Sequence, residues 1–163
     1  MLSIKHHELR RLQRLLIGVL LARAIFLTTT ASASLGNDLE SVYRDATHAG
    51  SGIQIRNTPH YSIYELKIPT GTRVREYISA EGLVFAVAWD GPFVPELQRF
   101  LGRNFRKYAD TLHAQKFPYF SRKPVLIRLD DLVFENSGHP GAFFGRAYIP
   151  QVVPSGVAIT ELY

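Results

Sequence analysis

Alternating apolar and polar positions in the middle of the chain predict three neighbouring β-strands. These stretches are rich in valine, isoleucine, tyrosine, phenylalanine and threonine, and they span 60–68, 72–79 and 83–90. Two connections join them, Pro69-Thr70-Gly71 and Ala80-Glu81-Gly82. Each suits a three-residue hairpin loop whose glycine adopts the left-handed conformation. The pattern therefore predicts an antiparallel meander.

The two loops also fix which residues lie opposite each other in the strands. Counting starts from two pairs, Ile68–Thr72 and Ser79–Leu83. One face of the sheet then carries most of the charged and aromatic side chains, in the rows Lys67–Arg73–Trp89, Glu65–Arg75–Val87 and Ile63–Tyr77–Phe85. This register predicts an ion pair between Glu65 and Arg75. It also places the Arg73 guanidinium over the Trp89 ring.

The other predicted face is mostly apolar but includes one carboxylate. Its rows are Leu66–Val74–Ala88, Tyr64–Glu76–Ala86 and Ser62–Ile78–Val84. Glu76 therefore lies among apolar side chains, where an ionised carboxylate without a partner is costly. Two interpretations remain open for it. It belongs either to a satisfied hydrogen-bond network that fixes packing, or to a site where an acid with a raised pKa contacts a ligand or transfers a proton.

Two helices are predicted to pack on this apolar face. Asn37 or Asp38 can cap a short helix that ends at Gly50. Pro95 can begin a longer amphipathic helix that runs to about Ala114. Its apolar stripe consists of Leu97, Leu101, Phe105, Tyr108 and Leu112. We expect it to approach the sheet closely over small side chains, namely Val74, Val84, Ala86 and Ala88.

Further apolar stretches complete the predicted fold. They read as strands at 52–56, 125–128, 132–136 and 142–149, with a short final strand at 157–160. A turn over 137–141 joins the two strands on either side of it. The predicted class is α+β, an antiparallel β-meander with a short N-terminal helix and a longer amphipathic helix packed on one face.

Residues 1–33 have the three-part pattern of a secretory signal peptide. A basic stretch precedes an apolar run, and Ala31-Ser32-Ala33 supplies the small residues of a cleavage site. We expect cleavage after Ala33, which leaves a single α+β domain of residues 34–163 in the periplasm or outside the cell. Arg23 interrupts the apolar run, so a retained leader that tethers the protein to the membrane is the alternative.

The distribution of charge removes one class of partner. The net charge is +5, but residues 1–33 hold five basic groups and one acid, while the rest holds 14 basic and 13 acidic groups. A domain with a balance of +1 gives no reason to expect nucleic-acid binding.

The residue types also exclude several kinds of covalent bond, metal site and catalytic mechanism. The absence of cysteine excludes disulfides, thiolate metal sites and cysteine catalysis. The histidines match no metal-binding spacing, and no nucleotide-binding or serine-nucleophile motif is present. We therefore expect neither a metal nor a cofactor.

Two stretches resemble the signatures of a bacterial family, domain of unknown function 2844. The first consists of Val74-Arg75-Glu76-Tyr77-Ile78-Ser79, then Gly82, Val84-Phe85-Ala86-Val87-Ala88-Trp89 and Gly91-Pro92. The second consists of Gly145-Arg146-Ala147-Tyr148-Ile149-Pro150 and Pro154-Ser155-Gly156-Val157. The resemblance implies export from a bacterial cytoplasm, and it implies no activity, cofactor or catalytic residue.

The favoured function is a non-catalytic binding or structural role in the bacterial envelope, with an envelope protein or a small ligand as partner. We predict that a partner binds the sheet face that the helices leave uncovered. This face carries arginine and aromatic residues, which are enriched at binding hot spots. Its residues are Arg73, Arg75, Tyr77, Phe85 and Trp89, extended by Arg146 and Tyr148. In a competing account, the first helix or the C-terminal segment folds over this face, with the arginines reaching out along its rim.

Two alternative functions stay open at this point. One is a hydrolase-type enzyme whose site is assembled in space around Glu76 or His139. The other is the membrane-tethered protein with a retained leader. A concave pocket that holds Glu76 or His139 favours an enzyme, whereas an open face of aromatic residues and arginines favours binding.

Overall fold

The structure is a computed structural model that describes residues 34–115 and 124–163. The predicted signal peptide and the bond after Ala33 lie outside the described residues. Among the described residues, no helix is long and apolar enough to cross a membrane.

The first helix, α1, spans Leu39–Ala49. The side chain of Asp38 accepts a hydrogen bond from the Ser41 N–H and so caps its start. Gly50 ends it in the left-handed conformation, at φ 62°. This conformation lets the Gly50 N–H bond back to the last turn of the helix.

Seven described strands form one antiparallel sheet in the order β1-β2-β3-β4-β7-β6-β5. They are β1 Ile53–Asn57, β2 Tyr61–Lys67, β3 Arg73–Ser79, β4 Val84–Gly91, β5 Val125–Leu129, β6 Leu132–His139 and β7 Ala142–Tyr148. An α+β fold with an antiparallel sheet is thus confirmed. The sheet is not a simple meander, because β7 lies between β4 and β6 and leaves β5 at the edge.

The β2–β3 hairpin has the predicted register. Gly71 adopts a positive φ of 90° in the loop, and the Ile68 N–H donates to the Thr72 carbonyl at 3.0 Å. Glu65 accordingly lies opposite Arg75. Loop chemistry was sufficient here because the alternation continues without interruption along both strands.

The β3–β4 hairpin begins as predicted, but its register then shifts by one residue. Ile78 lies opposite Val84, and a bulge places Tyr77 opposite Ala86 instead of Phe85. Beyond the bulge, Arg73 lies opposite Asp90. The predicted placement of Trp89 beside Arg73 on one face is therefore wrong.

Helices cover one face of the sheet, here called the helix face. The predicted single helix over 95–114 is in fact two, α2 Leu97–Leu101 and α3 Asn104–Ala114, because Gly102 breaks it at φ 56°. Phe100 and Leu101 of α2 are buried at the centre of the helix face. The predicted stripe packs there, but the bulge replaces Ala86 and Ala88 on this face with larger residues, Val87 and Trp89.

The opposite face, here called the tail face, is covered by the tail segment, residues 150–163. A second buried cluster forms there from Ile63, Tyr77, Phe85, Ala86, Ala88 and Leu162. The tail contributes further apolar contacts through Val152, Val153, Val157 and Ile159. The predicted strand over 157–160 is wrong, since Ile159–Glu161 forms a 3₁₀ turn that seats Leu162 in this cluster.

Candidate binding site

An open pocket of about 220 Å³ lies on the sheet where β5, β6 and β7 meet the end of the tail segment. Three large apolar side chains at its lining are between 44% and 53% exposed, namely Leu126, Phe144 and Tyr163. Its remaining lining residues are Pro124, Val125, Glu135, Asn136, Ser137, Gly145 and Arg146. The pocket thus combines exposed apolar walls with a few polar groups, which is the usual composition of small-ligand sites.

Arg146 fixes one wall of this pocket. Its guanidinium pairs with the Glu135 carboxylate on the neighbouring strand, with the closest N–O distance 2.7 Å. A second nitrogen donates to the Ile159 carbonyl at 2.6 Å. The guanidinium also lies over the Tyr163 ring, 4.4 Å from its centroid. Arg146 therefore anchors the tail segment to the sheet and sets the position of the pocket's aromatic wall.

A second network of charges occupies the same face closer to β2. Arg75 pairs with Glu65 at 3.1 Å, which confirms that predicted ion pair, and with Asp90 at 2.6 Å. Arg73 also pairs with Asp90, at 2.7 Å. Burial pushes the pKa of Asp90 upward, but hydrogen bonds from the two arginines outweigh it and hold that pKa below its usual range. The two arginines are thus engaged with carboxylates of the chain itself.

The aromatic residues of the predicted binding face do not form an open surface. Tyr77 and Phe85 are buried beneath the tail segment, and Tyr148 is half-buried beside them. Trp89 is buried on the helix face. The expectation that these aromatics are open to a partner is wrong, because the tail covers the face, as in the competing account. A binding role for the arginines stays a prediction.

Burial has a chemical consequence for Tyr77. Its hydroxyl donates to the Tyr163 carbonyl oxygen at 3.2 Å. Burial raises the pKa of Tyr77 to about 12, so it remains protonated and keeps this hydrogen bond. Tyr77 therefore acts as a second anchor of the tail segment.

Trp89 nevertheless connects the core to the pocket. Its indole Nε1–H donates to the Asn136 side-chain oxygen at 3.0 Å, and Asn136 lines the pocket. Gly145 makes this possible, because a Cβ at that position would lie 2.5 Å from the Trp89 ring. Sequence reasoning missed Asn136 and Phe144, because it predicted a turn over 137–141. The strand β6 instead continues to His139, which pairs with Ala142 across a two-residue loop.

Two buried acids, one on α1 and one on β3, lie close together between the helix and the sheet. Glu76 is fully buried on the helix face, opposite Tyr64 and Val87, and neither of its carboxylate oxygens has a hydrogen-bond partner among the described residues. Burial raises the pKa of Glu76 to about 8. The nearby Asp45 carboxylate raises that pKa further, while the Ser34 hydroxyl opposes the shift. The predicted burial of Glu76 is confirmed, but the first of its two interpretations, a satisfied hydrogen-bond network, finds no partner for its carboxylate among the described residues.

The hydroxyl of Ser34 is already engaged by the second acid. It donates to the Asp45 carboxylate, and both residues are buried. Desolvation raises the pKa of Asp45, although the Ser34 hydrogen bond and the charges of Arg99, Arg44 and His48 oppose that shift. Since a hydroxyl has one proton to donate and Ser34 gives it to Asp45, Ser34 cannot also donate to Glu76.

His139 lies apart from these acids. It is exposed at the end of β6, and its Nδ1 lies 3.0 Å from the Pro140 carbonyl oxygen. Within residues 34–115 and 124–163, no three histidine, aspartate or glutamate side chains are grouped so that they could hold a metal ion. The structure therefore does not bring Glu76 and His139 together in one site.

The fold and pocket define a small α+β domain built on an antiparallel sheet, and its described residues include a shallow pocket and a buried acid pair. A family model described as "Protein of unknown function (DUF2844)" matches residues 31–162. The chain belongs to this family, which confirms the resemblance drawn from its two signatures. No curated protein and no solved structure matches the chain.

Proposed function

We propose that this protein is an exported, non-catalytic binding protein of the bacterial envelope, and that it binds a small ligand in the pocket beside Tyr163. The observation that carries the proposal is the construction of that pocket. Its apolar walls are exposed, yet the Arg146 contacts to Glu135 and Ile159 hold its frame in place. A preformed site of this kind loses little conformational entropy on binding.

The chemistry of the lining favours a flat, uncharged ligand. The exposed rings of Phe144 and Tyr163 can stack against a planar apolar group. The charges of Glu135 and Arg146 neutralise each other, so a charged ligand would lose hydration without gaining an opposite charge. Ser137, two residues from Glu135 on the same strand and therefore on the same face, supplies a polar group for one hydrogen-bonding edge of the ligand.

The binding proposal can be tested by NMR on the protein purified from the envelope. The probes are benzyl alcohol, benzoate and benzylamine, which share a ring and differ in charge. We expect benzyl alcohol to bind most tightly, at millimolar concentration as is usual for so small a probe. Binding should shift the Trp89 indole N–H resonance, because Trp89 is bonded to the pocket residue Asn136.

A matched pair of variants separates this site from nonspecific binding. Phe144→Ala removes a wall of the pocket, whereas Phe93→Ala removes an exposed ring, 58% accessible, that does not line it. Phe144→Ala should weaken the binding of benzyl alcohol at least fivefold, and Phe93→Ala should leave it unchanged. If no probe shifts the Trp89 resonance, or if both variants behave alike, the proposed site is wrong.

The proposal includes removal of the leader after Ala33, for which the basic, apolar and small-residue regions of residues 1–33 are the support. The intact mass of the protein recovered from the envelope tests this directly. We expect a mass that corresponds to residues 34–163. A mass that includes the leader, in a protein extractable only with detergent, would instead support the membrane-tethered alternative.

A further inference from the structure

We propose that the α-ammonium group of Ser34, created when the leader is removed, is the counterion of the buried Glu76 and Asp45 carboxylates. The inference rests on the proposed cleavage after Ala33. It goes beyond that cleavage because it gives the new N-terminus a defined place inside the folded domain.

The first support is that no cation among the described residues bonds to Glu76. Both of its oxygens are without a hydrogen-bond partner among the described residues, on a side chain with no exposed surface. A buried acid in this state is expected to be either neutral or paired. A second acid, Asp45, acts on Glu76, and its negative charge makes ionisation of Glu76 still more costly.

The second support is the position of Ser34. It is fully buried, its hydroxyl donates to Asp45, and it also lies close enough to act on Glu76. Its backbone nitrogen is separated from that hydroxyl only by Cα and Cβ. A charge on this nitrogen would therefore arise beside both carboxyl groups.

The third support is the way in which the following residues hold Ser34 in place. The Leu35 N–H donates to Phe100 and the Gly36 N–H donates to Val84. The side chain of Asn104, itself buried, donates to the Leu35 carbonyl at 3.1 Å. The segment beginning at Ser34 is thus fastened both to the sheet and to the helices, so its first nitrogen has a fixed location.

The chemical change that supplies the cation is peptide hydrolysis by the peptidase that removes export leaders. The carbon–nitrogen bond between Ala33 and Ser34 breaks, the hydroxyl of water joins the Ala33 carbonyl, and its hydrogen joins the Ser34 nitrogen. The new Ala33 carboxyl group releases a proton, and the Ser34 amine takes one up. An amide with one N–H becomes an ammonium with three donors, enough to serve Glu76 and Asp45 together.

The pairing can be tested on the full chain after it has been expressed with export and released from the envelope. Its intact mass first establishes whether Ser34 is the first residue. Acetic anhydride then labels amines at a series of pH values, and peptide mapping gives the rate at Ser34 and, as an internal control, at the exposed Lys67. We expect the folded protein to react at Ser34 at least tenfold more slowly than the protein in urea, with a smaller difference at Lys67.

The pH series distinguishes an ion pair from simple burial. Pairing with a carboxylate raises the pKa of an amine above its ordinary 7.7–8.0, whereas burial without pairing lowers it. Glu76→Gln should therefore lower the pKa of the Ser34 amine, and the matched Glu81→Gln, at an exposed turn residue, should not. The groups that face the acid pair, Arg99, Arg44 and His48 around Asp45, remain the same in both variants.

Each outcome has a separate meaning. A first residue other than Ser34 overturns the proposed cleavage and with it the pairing. If Ser34 is the first residue but its amine reacts equally fast in the folded and unfolded protein, the pairing is wrong while the cleavage stands. The pairing is likewise wrong, and the cleavage stands, if the pKa of the Ser34 amine is below the ordinary range in the folded wild type. These two comparisons need no variant, so the test remains decisive if Glu76→Gln fails to fold.

Discussion

The two faces of the sheet handle buried charge in opposite ways. On the tail face, the mostly buried guanidinium groups of Arg75 and Arg146 each have a carboxylate partner whose side chain is about a quarter exposed. On the helix face, Glu76 is fully enclosed and no described cation bonds to it. The comparison shows that the two arginines of the tail face have carboxylate partners within the chain, whereas Glu76 on the helix face has no cation bonded to it among the described residues.

The two faces also differ in packing, and a substitution in the better-packed face should cause the largest loss of stability. The helix face contains the larger core, and Leu101 at its centre is fully buried. Leu101→Ala should lower the free energy of unfolding by about 2–5 kcal/mol, because it leaves a cavity. Leu126→Ala, at the exposed pocket, should change it by less than about 0.5 kcal/mol. Urea denaturation measures both, and equal losses would contradict the assignment of the core.

Substitutions in the charge network of the tail face should cause the next largest loss of stability. Arg146→Ala removes the partner of Glu135 and the anchor of the tail segment, so we expect a loss of about 2–3 kcal/mol. Arg73→Ala removes an ion pair whose guanidinium is 48% exposed, and its cost should stay below about 1 kcal/mol. Thermal unfolding of the two variants checks this order. A larger loss for Arg73→Ala would show that the tail is anchored elsewhere.

Acetylation of the Ser34 amine removes its positive charge. The stability of the acetylated protein should then depend on pH through the unpaired Glu76 carboxyl group. The pKa of Glu76 is then raised from 4.5 to about 8 in the folded protein. Between these values the unfolded chain releases a proton that the folded protein keeps, so stability falls as pH rises. Thermal midpoints from pH 5 to 8 should therefore decline, and Glu76→Gln should flatten that decline. Glu81→Gln should leave it unchanged.

The two neighbouring hairpins show how much of the fold the sequence could predict. The β2–β3 register followed from its loop, because Glu65, Arg75 and Lys67 alternate with apolar residues and so mark the two faces. The β3–β4 register did not, because β4 is buried on both faces and apolar without interruption from Val84 to Trp89. A one-residue bulge there leaves no trace in the hydrophobic pattern.

The candidate site was predictable only in part, for related reasons. Arg146 was named from the sequence, and Glu76 was placed correctly among apolar side chains. The pocket itself depends on where the tail segment crosses the sheet, and that segment has neither a helical nor a strand period. The break at Gly102 was also missed, since the apolar stripe from Leu97 to Leu112 keeps its spacing across it.

The most direct test of the difference between the two faces is a carboxyl-carbon NMR titration of the protein with Ser34 as its first residue, compared with the same protein acetylated at that amine. The account predicts that Glu76 titrates at a lower pH when the amine is free than when it is blocked, while Asp90 on the tail face titrates alike in both. An identical Glu76 titration in the two forms would contradict it.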